Sequence, residues 1–101
     1  MSKKVSTKAE SAYMGRVKQM ACICCTLLGR RQESITDVHH IREGQGGAQR
    51  AGNYLVLPLC HDDCHTGKNG VHGDKTYLRI LKMNELDLLD AALALLNGGR
   101  L

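Results

Sequence analysis

The spacing of apolar residues near the start of the chain predicts an amphipathic helix over residues 8–20. Apolar side chains recur there at helical intervals, and this stripe comprises Ala9, Tyr13, Val17 and Met20. Thr7 is followed three residues later by Glu10, which matches a capping box at the start of the helix. We expect the stripe to pack against the core.

The same periodicity predicts two helices near the end of the chain, over residues 74–83 and 85–97. Asn84 is placed to cap the second of these helices, and Gly98 is placed to end it. We expect one face of this last helix to form the main apolar core, and that face comprises Leu88, Leu89, Ala92, Leu93 and Leu96.

The middle of the chain is predicted to contain a long-looped hairpin. Residues 35–41 alternate loosely and include β-branched residues, which indicates a strand. Residues 54–57 form a second apolar strand, which Pro58 is expected to end. A glycine-rich loop over residues 44–52 joins the two strands, and residues 61–66 fit a short helical turn. Helices and a hairpin together predict an α+β fold.

The composition indicates one small domain that needs a cross-link. A length of 101 residues allows one domain, which we assign to residues 7–98 after a flexible basic tail at residues 1–6. Aromatic residues make up only 3% of the chain, and domains of this size often depend on disulfides, metals or partner chains. An odd number of cysteines, five, favours metal ligation or free thiols over a disulfide framework.

No apolar run reaches the roughly 18 residues that cross a bilayer, and no apolar segment follows the N-terminal lysines. We therefore expect a soluble, unexported, cytoplasmic protein without a membrane partner. The net charge is +4, and residues 1–50 carry nine Lys and Arg against four Asp and Glu. This excess of positive charge favours a polyanion partner such as nucleic acid, although charge of this size also serves solubility. The candidate phosphate contacts are Arg16, Lys18, Arg30, Arg31, Arg42 and Arg50.

Four cysteines are spaced as two close pairs. Cys22 and Cys25 belong to a turn over residues 22–34, and Cys60 and Cys64 follow much later in the chain. Two such pairs can supply the four soft ligands of a closed, structural zinc site. Cys24 could replace a neighbour, or His61 could replace Cys64. Five thiols without a metal are the remaining alternative, since cysteine is often simply buried.

All five histidines lie between positions 39 and 72 of the sequence, which suits a metal site for phosphodiester chemistry. Such a site needs neutral imidazole ligands, open coordination positions and a separate base. Adjacent residues on a regular strand point to opposite faces, so His39 and His40 face one metal only if a bulge or the strand end redirects one of them. The alternative is that one binds metal or substrate while the other is packed. His61 is expected to face solvent, or to pair with His65 as a ligand.

A family resemblance lies in these same residues. The segment Val38-His39-His40-Ile41, then Asn53, then Leu59-Cys60 and Cys64-His65 resembles the HNH nuclease pattern. The run HHIREGQG at residues 39–46, with LPLC, HTG and GVHG further on, is similar to phage recombination-enhancement nucleases of the Ref type. The similarity covers about residues 10–96. The chain departs from the family by an extra residue between Cys60 and Cys64, and by a shorter basic N-terminal arm.

The resemblance implies a small ββα-metal, treble-clef-like domain with a structural zinc and flanking N- and C-terminal helices. It implies His40 as general base, with Asn53 bracing the hairpin loop to orient it. His39, His65 and His72 would hold one divalent metal, for which zinc, magnesium, manganese and nickel are candidates. The structural zinc ligands would be Cys22, Cys25, Cys60 and Cys64.

The activity implied is metal-dependent DNA endonuclease cleavage in phage recombination, on DNA coated with RecA filaments. The gene would then belong to a phage or prophage, and the protein would act in the bacterial host cytoplasm. Two other functions fit the residues. A non-catalytic zinc module would bind DNA or protein and use the histidines for folding alone. A metal-sensing or storage protein would hold several exchangeable metals and would lack DNA affinity.

Overall fold

The chain folds into a small α+β structure, which confirms the α+β class that the helices and the hairpin predict. A computed structural model describes residues 6–42 and 52–99, and the following elements lie in those ranges. The element order is α1 (Lys8–Lys18), α2 (Ile23–Leu28), β1 (Thr36–His40), β2 (Val56–Cys60), a π-turn (His61–His65), α3 (Thr76–Leu81) and α4 (Glu85–Leu96). Most of the predicted basic tail, nearly all of the glycine-rich loop and Arg50 lie outside the described residues.

The capping box predicted for α1 is confirmed. The Thr7 hydroxyl accepts from the backbone N–H of Glu10 at 3.0 Å, and the Glu10 carboxylate accepts from the backbone N–H of Thr7 at 2.8 Å. Of the predicted apolar stripe, only Val17 is buried, and Ala9 is exposed. The expectation that the whole stripe packs against the core is therefore wrong, because the C-terminal half of the helix supplies the buried contact.

Strands β1 and β2 pair antiparallel, and β2 continues through Pro58, which lies opposite Val38. The prediction that Pro58 ends the strand is wrong, for a reason that the ladder makes clear. Backbone bonds join His61 N–H to the Ile35 carbonyl at 2.8 Å and Ile41 N–H to the Leu55 carbonyl at 3.1 Å. Bonded pairs alternate with non-bonded pairs along an antiparallel ladder, so the Pro58 position needs no N–H donor.

The core is formed by β2 with α2 and α4. All five residues of β2 are buried, and Cys25 of α2 belongs to the same buried cluster. On α4 the buried residues include Leu88, Leu89 and Ala92, as predicted, whereas Leu93 is 36% exposed. Glu85 is buried on this face at helical spacing before Leu88, so the buried face lies nearer the start of the helix than the pattern predicts.

Candidate metal centres

Four cysteines from separate elements meet in the core. Cys22 and Cys25 lie at the start of α2, Cys60 ends β2, and Cys64 lies in the π-turn. All four are buried, and their sulfur atoms lie within 4.8 Å of one another. The Cys25 sulfur is 3.7 Å from the sulfurs of both Cys60 and Cys64. The predicted set of four is therefore brought together, in an arrangement compatible with a structural metal site.

In each cysteine pair, the backbone N–H of the second cysteine donates to the sulfur of the first. The N–H of Cys25 donates to the Cys22 sulfur at 3.4 Å, and the N–H of Cys64 donates to the Cys60 sulfur at 3.3 Å. The extra residue in the second pair is accommodated by the π-turn, where Thr66 N–H donates to the His61 carbonyl at 3.1 Å. The two alternative ligands considered from the sequence, Cys24 and His61, lie outside this four-sulfur group.

Three thiols of this cluster, those of Cys22, Cys25 and Cys64, have raised pKa values. Burial and the neighbouring Cys22 raise the pKa of Cys25 to about 11, against a lowering effect of Arg30. The hydrogen bond with the Cys64 thiol and burial raise the pKa of Cys22. At neutral pH the thiols of Cys22 and Cys25 therefore keep their protons when no metal is bound, and a bound metal must displace them.

Arg30, predicted as a phosphate contact, is held against this cluster. Its guanidinium donates to the Cys64 sulfur at 3.4 Å and to the Asp63 carboxylate at 2.5 Å. It also donates to the Tyr77 hydroxyl at 3.0 Å and lies 4.3 Å from the centre of that ring. These contacts join the segment just after α2 to the π-turn and α3, and they place a positive charge beside a sulfur that would become negative when metal binds.

Three of the predicted metal ligands form a second cluster. The rings of His39, His65 and His72 lie with their centroids 4.9–5.0 Å apart, and their candidate ligand atoms lie within 4.8 Å of one another. His39 is buried, His65 is partly buried and His72 is exposed, so the cluster opens to solvent on one side. Burial and the neighbouring histidines lower the pKa of His72, which favours the neutral imidazole that binds metals.

A tight glycine loop brings His72 to the cluster. The N–H of His72 donates to the His65 carbonyl at 3.2 Å. A Cβ atom added at Gly67 would lie 2.5 Å from the Asp63 carbonyl oxygen, and one added at Gly70 would collide with the backbone of Cys64. The loop can pack this closely against the π-turn only because these positions lack side chains.

Two carboxylates form hydrogen bonds with two histidines of this cluster, and neither carboxylate was predicted from the sequence. Glu85 lies 2.5 Å from His39 Nε2, and Asp37 lies 2.8 Å from His65 Nδ1. Because carboxylates accept, these nitrogens carry the protons, which leaves Nδ1 of His39 and Nε2 of His65 with lone pairs. The signal for Asp37 was its position two residues before His39 on one strand face. Glu85 has no such local signal.

Asp37 also contacts His61, at 2.5 Å from Nδ1. The His61 side chain is 50% exposed, as expected, but it is not merely a solvent-facing neighbour. The hydrogen bond and charge of Asp37 raise the pKa of His61. Burial opposes ionisation of Asp37, but its bonds with His65 and His61 lower its pKa overall. Asp37, His61 and His65 also lie close enough together to hold a metal ion.

His40 lies outside the histidine cluster, and its ring bonds to Asn53 instead. His40 Nε2 is 2.9 Å from Asn53 Oδ1, and the Asn53 amide nitrogen donates to the Ser6 hydroxyl at 3.2 Å. The partners of His39 and His40 thus lie in different directions, as strand alternation requires. The predicted link between Asn53 and the base candidate is a direct hydrogen bond.

The remaining basic candidates are dispersed. Lys18 donates to the Thr36 carbonyl at 3.2 Å, and Arg16 is exposed on α1. Arg31 lines a cavity that it shares with acidic residues near the π-turn. Arg42 lines a separate cavity together with Glu85, and its backbone N–H donates to that carboxylate at 3.0 Å. Glu85 also bonds to His39, so the backbone bond from Arg42 to Glu85 connects this candidate to the histidine cluster.

No protein-family model, curated protein or solved structure matches the chain. Among the helices of residues 6–42 and 52–99, none has both the length and the apolarity to cross a membrane. The geometry of the cysteine and histidine clusters therefore carries the functional proposal.

Proposed function

We propose that the protein is a metal-dependent DNA endonuclease of the HNH type, with a structural zinc on the four cysteines. His39, His65 and His72 would hold one divalent cation beside the substrate. The observation that carries this proposal is a carboxylate bond on one ring nitrogen of His39 and of His65, which leaves the other nitrogen of each ring with a lone pair. Metal-binding histidines usually have such a carboxylate partner, which supports the cluster as a ligand set.

The two clusters differ in the way that structural and catalytic metal sites differ. Four cysteines fill the coordination of a tetrahedral zinc, whereas three histidines leave at least one position for substrate or water. The exposure of His72 gives a phosphate group access to that position. Imidazole ligands favour zinc, nickel or cobalt over magnesium, which prefers oxygen. When bound, the cation would stabilise negative charge on the phosphate and the leaving oxygen.

His40 is the proposed general base. Asn53 Oδ1 is an acceptor, so Nε2 of His40 carries the proton and Nδ1 carries the lone pair that can take a proton from water. His40 is the last residue of β1, on the opposite side of the strand from His39. The scheme therefore requires the substrate phosphate to lie across the end of β1, where both rings can approach it.

Plasmid nicking by His40→Ala tests the base. General-base assistance is worth about 10² to 10⁴ in rate, so nicking should fall by that factor while both metals are retained. The control is Asp90→Asn, an exposed change on α4 that lies outside both metal clusters. Nicking by His40→Ala at the parental rate, with equal metal content, contradicts the role of His40. RecA-coated DNA in the same assay tests the partner that the resemblance implies.

Glu85→Gln tests the metal site without relying on activity. Loss of a carboxylate that orients a ligand typically weakens metal binding about 10- to 100-fold. Cobalt titration should show that loss at the histidine site, whereas Asp90→Asn, an exposed change on the same helix, should bind like the parent. If the parent binds one tight zinc per chain and no second cation, the non-catalytic zinc module becomes the better account.

A further inference from the structure

A cavity of about 650 Å³ opens at the side of the molecule formed by α3 and the start of α4. Glu85 joins it to the histidine cluster, since this carboxylate lines the cavity and also bonds to His39. Four cationic side chains line the same cavity, and we call this surface the basic cleft: Arg42, Lys75, Arg79 and Lys82. Three of these residues were not among the candidates predicted from the sequence.

The acidic residues of the basic cleft are engaged in bonds within the protein. Asp74 accepts from the backbone and the hydroxyl of Thr76, at 3.0 and 2.6 Å. Asp87 accepts from the backbone N–H of Asn84 at 2.9 Å, within a capping box. In the part of the chain that the structure describes, Lys75 and Lys82 form no ion pair. The ammonium groups of these two lysines therefore remain for an external anion.

Lys75 and Lys82 occupy an unusual backbone conformation. They flank α3 on either side, with φ values of 61° and 56°. No other non-glycine residue within residues 6–42 and 52–99 has a positive φ. Glycine is the residue that adopts this conformation without steric cost. Both positions instead carry a long cationic side chain that lines one cavity, which indicates a use for the charge.

We propose that the basic cleft binds the phosphodiester backbone of DNA next to the bond that is cleaved. Phosphate oxygens are held by lysine and arginine side chains, and such contacts position the duplex without reading its sequence. The identification of the polyanion as DNA rests on the proposed nuclease function. The cleft lies beside the histidine cluster, so the bound strand would continue from the lysines past Arg42 towards His39.

Lys75→Gly and Lys82→Gly test the cleft with little risk to folding. Glycine removes the charge and also suits the positive φ, so the variants should unfold at or above the parental temperature. Binding of a labelled 20-base-pair duplex is measured by fluorescence anisotropy between 50 and 300 mM salt, with His40→Ala as the common background to prevent cleavage. The control is Lys68→Ala, which removes the same charge from an exposed residue outside the cleft.

Each lost phosphate contact should lower the slope of log affinity against log salt by about 0.9, which is about eightfold in affinity at 0.1 M salt. The double glycine variant should therefore bind roughly 60-fold more weakly, and Lys68→Ala should match the background protein. Equal salt slopes for the glycine variants and the control would overturn the proposal that the basic cleft binds DNA. Tighter binding of an RNA duplex of the same length would overturn the assignment to DNA.

Failure of the proposed hydrolysis can be distinguished from failure of the proposed DNA binding by the basic cleft. Hydrolysis of bis(p-nitrophenyl) phosphate by otherwise parental protein needs the histidine cluster but not a long backbone contact. Loss of DNA binding in the glycine variants supports the cleft, whether or not the parent hydrolyses this small ester.

Discussion

Exchange of Cys25 for serine is the sharpest test of the cysteine cluster, because the chain contains its own control one residue away. Cys24 and Cys25 are adjacent in α2 and are both buried, at 2% and 3% exposure. Only Cys25 belongs to the four-sulfur group. Both exchanges place the same hydroxyl in the core, so a difference between Cys24→Ser and Cys25→Ser reports the metal.

The magnitude follows from the loop that a metal would close. Cys25 and Cys60 are 35 residues apart in sequence, and their sulfurs are 3.7 Å apart. The loop-closure expression used for disulfides gives an entropy of about 13 cal/mol/K for such a loop, which is about 4 kcal/mol at 25 °C. Domains are stable by only about 5–15 kcal/mol in total. A full loss would lower the melting temperature by roughly 15–30 °C in a domain of this size.

The assay combines zinc content after gel filtration with thermal unfolding followed by circular dichroism. We expect Cys24→Ser to retain about one zinc at this site and to melt close to the parent. We expect Cys25→Ser to lose zinc and to melt far lower, as the parent does after treatment with a strong chelator. Equal zinc content and equal melting temperatures for the two variants would refute the assignment of the four cysteines.

Two further exchanges test the surroundings of this cluster and the core. Arg30→Gln should release zinc to a chelator about fivefold faster than the parent, because a partly exposed guanidinium that stabilises thiolate is lost. Arg31→Gln should release zinc at the parental rate, and equal rates for both variants would exclude the contact. Leu88→Ala, at a fully buried position, should lower the free energy of unfolding by about 2–5 kcal/mol in urea titration. Leu86→Ala, at 50% exposure, should lower it by less than about 1 kcal/mol, and a reversed order would contradict the orientation of α4.

Local rules account for the parts of the fold that the sequence predicts well. The capping box of Thr7 and Glu10 uses side chains three residues apart, and Asn84 caps α4 through the backbone N–H of Asp87 at 2.9 Å. Such bonds depend on nearby residues alone. The prediction for Pro58 was wrong because a strand accepts proline where the opposite pair forms no backbone hydrogen bonds. Which pairs are bonded depends on the register with the partner strand, and no local sequence pattern contains that register.

The four-cysteine group was predictable because metal-binding cysteines come in recognisable spacings, whereas the three-histidine group was predicted from the family resemblance. The residues that support the two groups were not predicted, because long-range packing selects them. Glu85 approaches His39 across 46 positions of sequence, and Arg30 reaches Cys64 across 34. Before the structure, Glu85 resembled any acidic residue in the first turn of a helix, and Arg30 resembled any solvated surface charge.

The π-turn connects the two clusters. Cys64 and His65 are consecutive, and the carbonyls of these residues accept the N–H groups of Val71 and His72, at 2.9 and 3.2 Å. The placement of two histidines therefore depends on the segment that the cysteine cluster fixes. We expect a newly made chain to take up metal at the cysteines first, and to gain a complete histidine centre only afterwards. The zinc supply of the cell would then decide when the proposed nuclease activity becomes available.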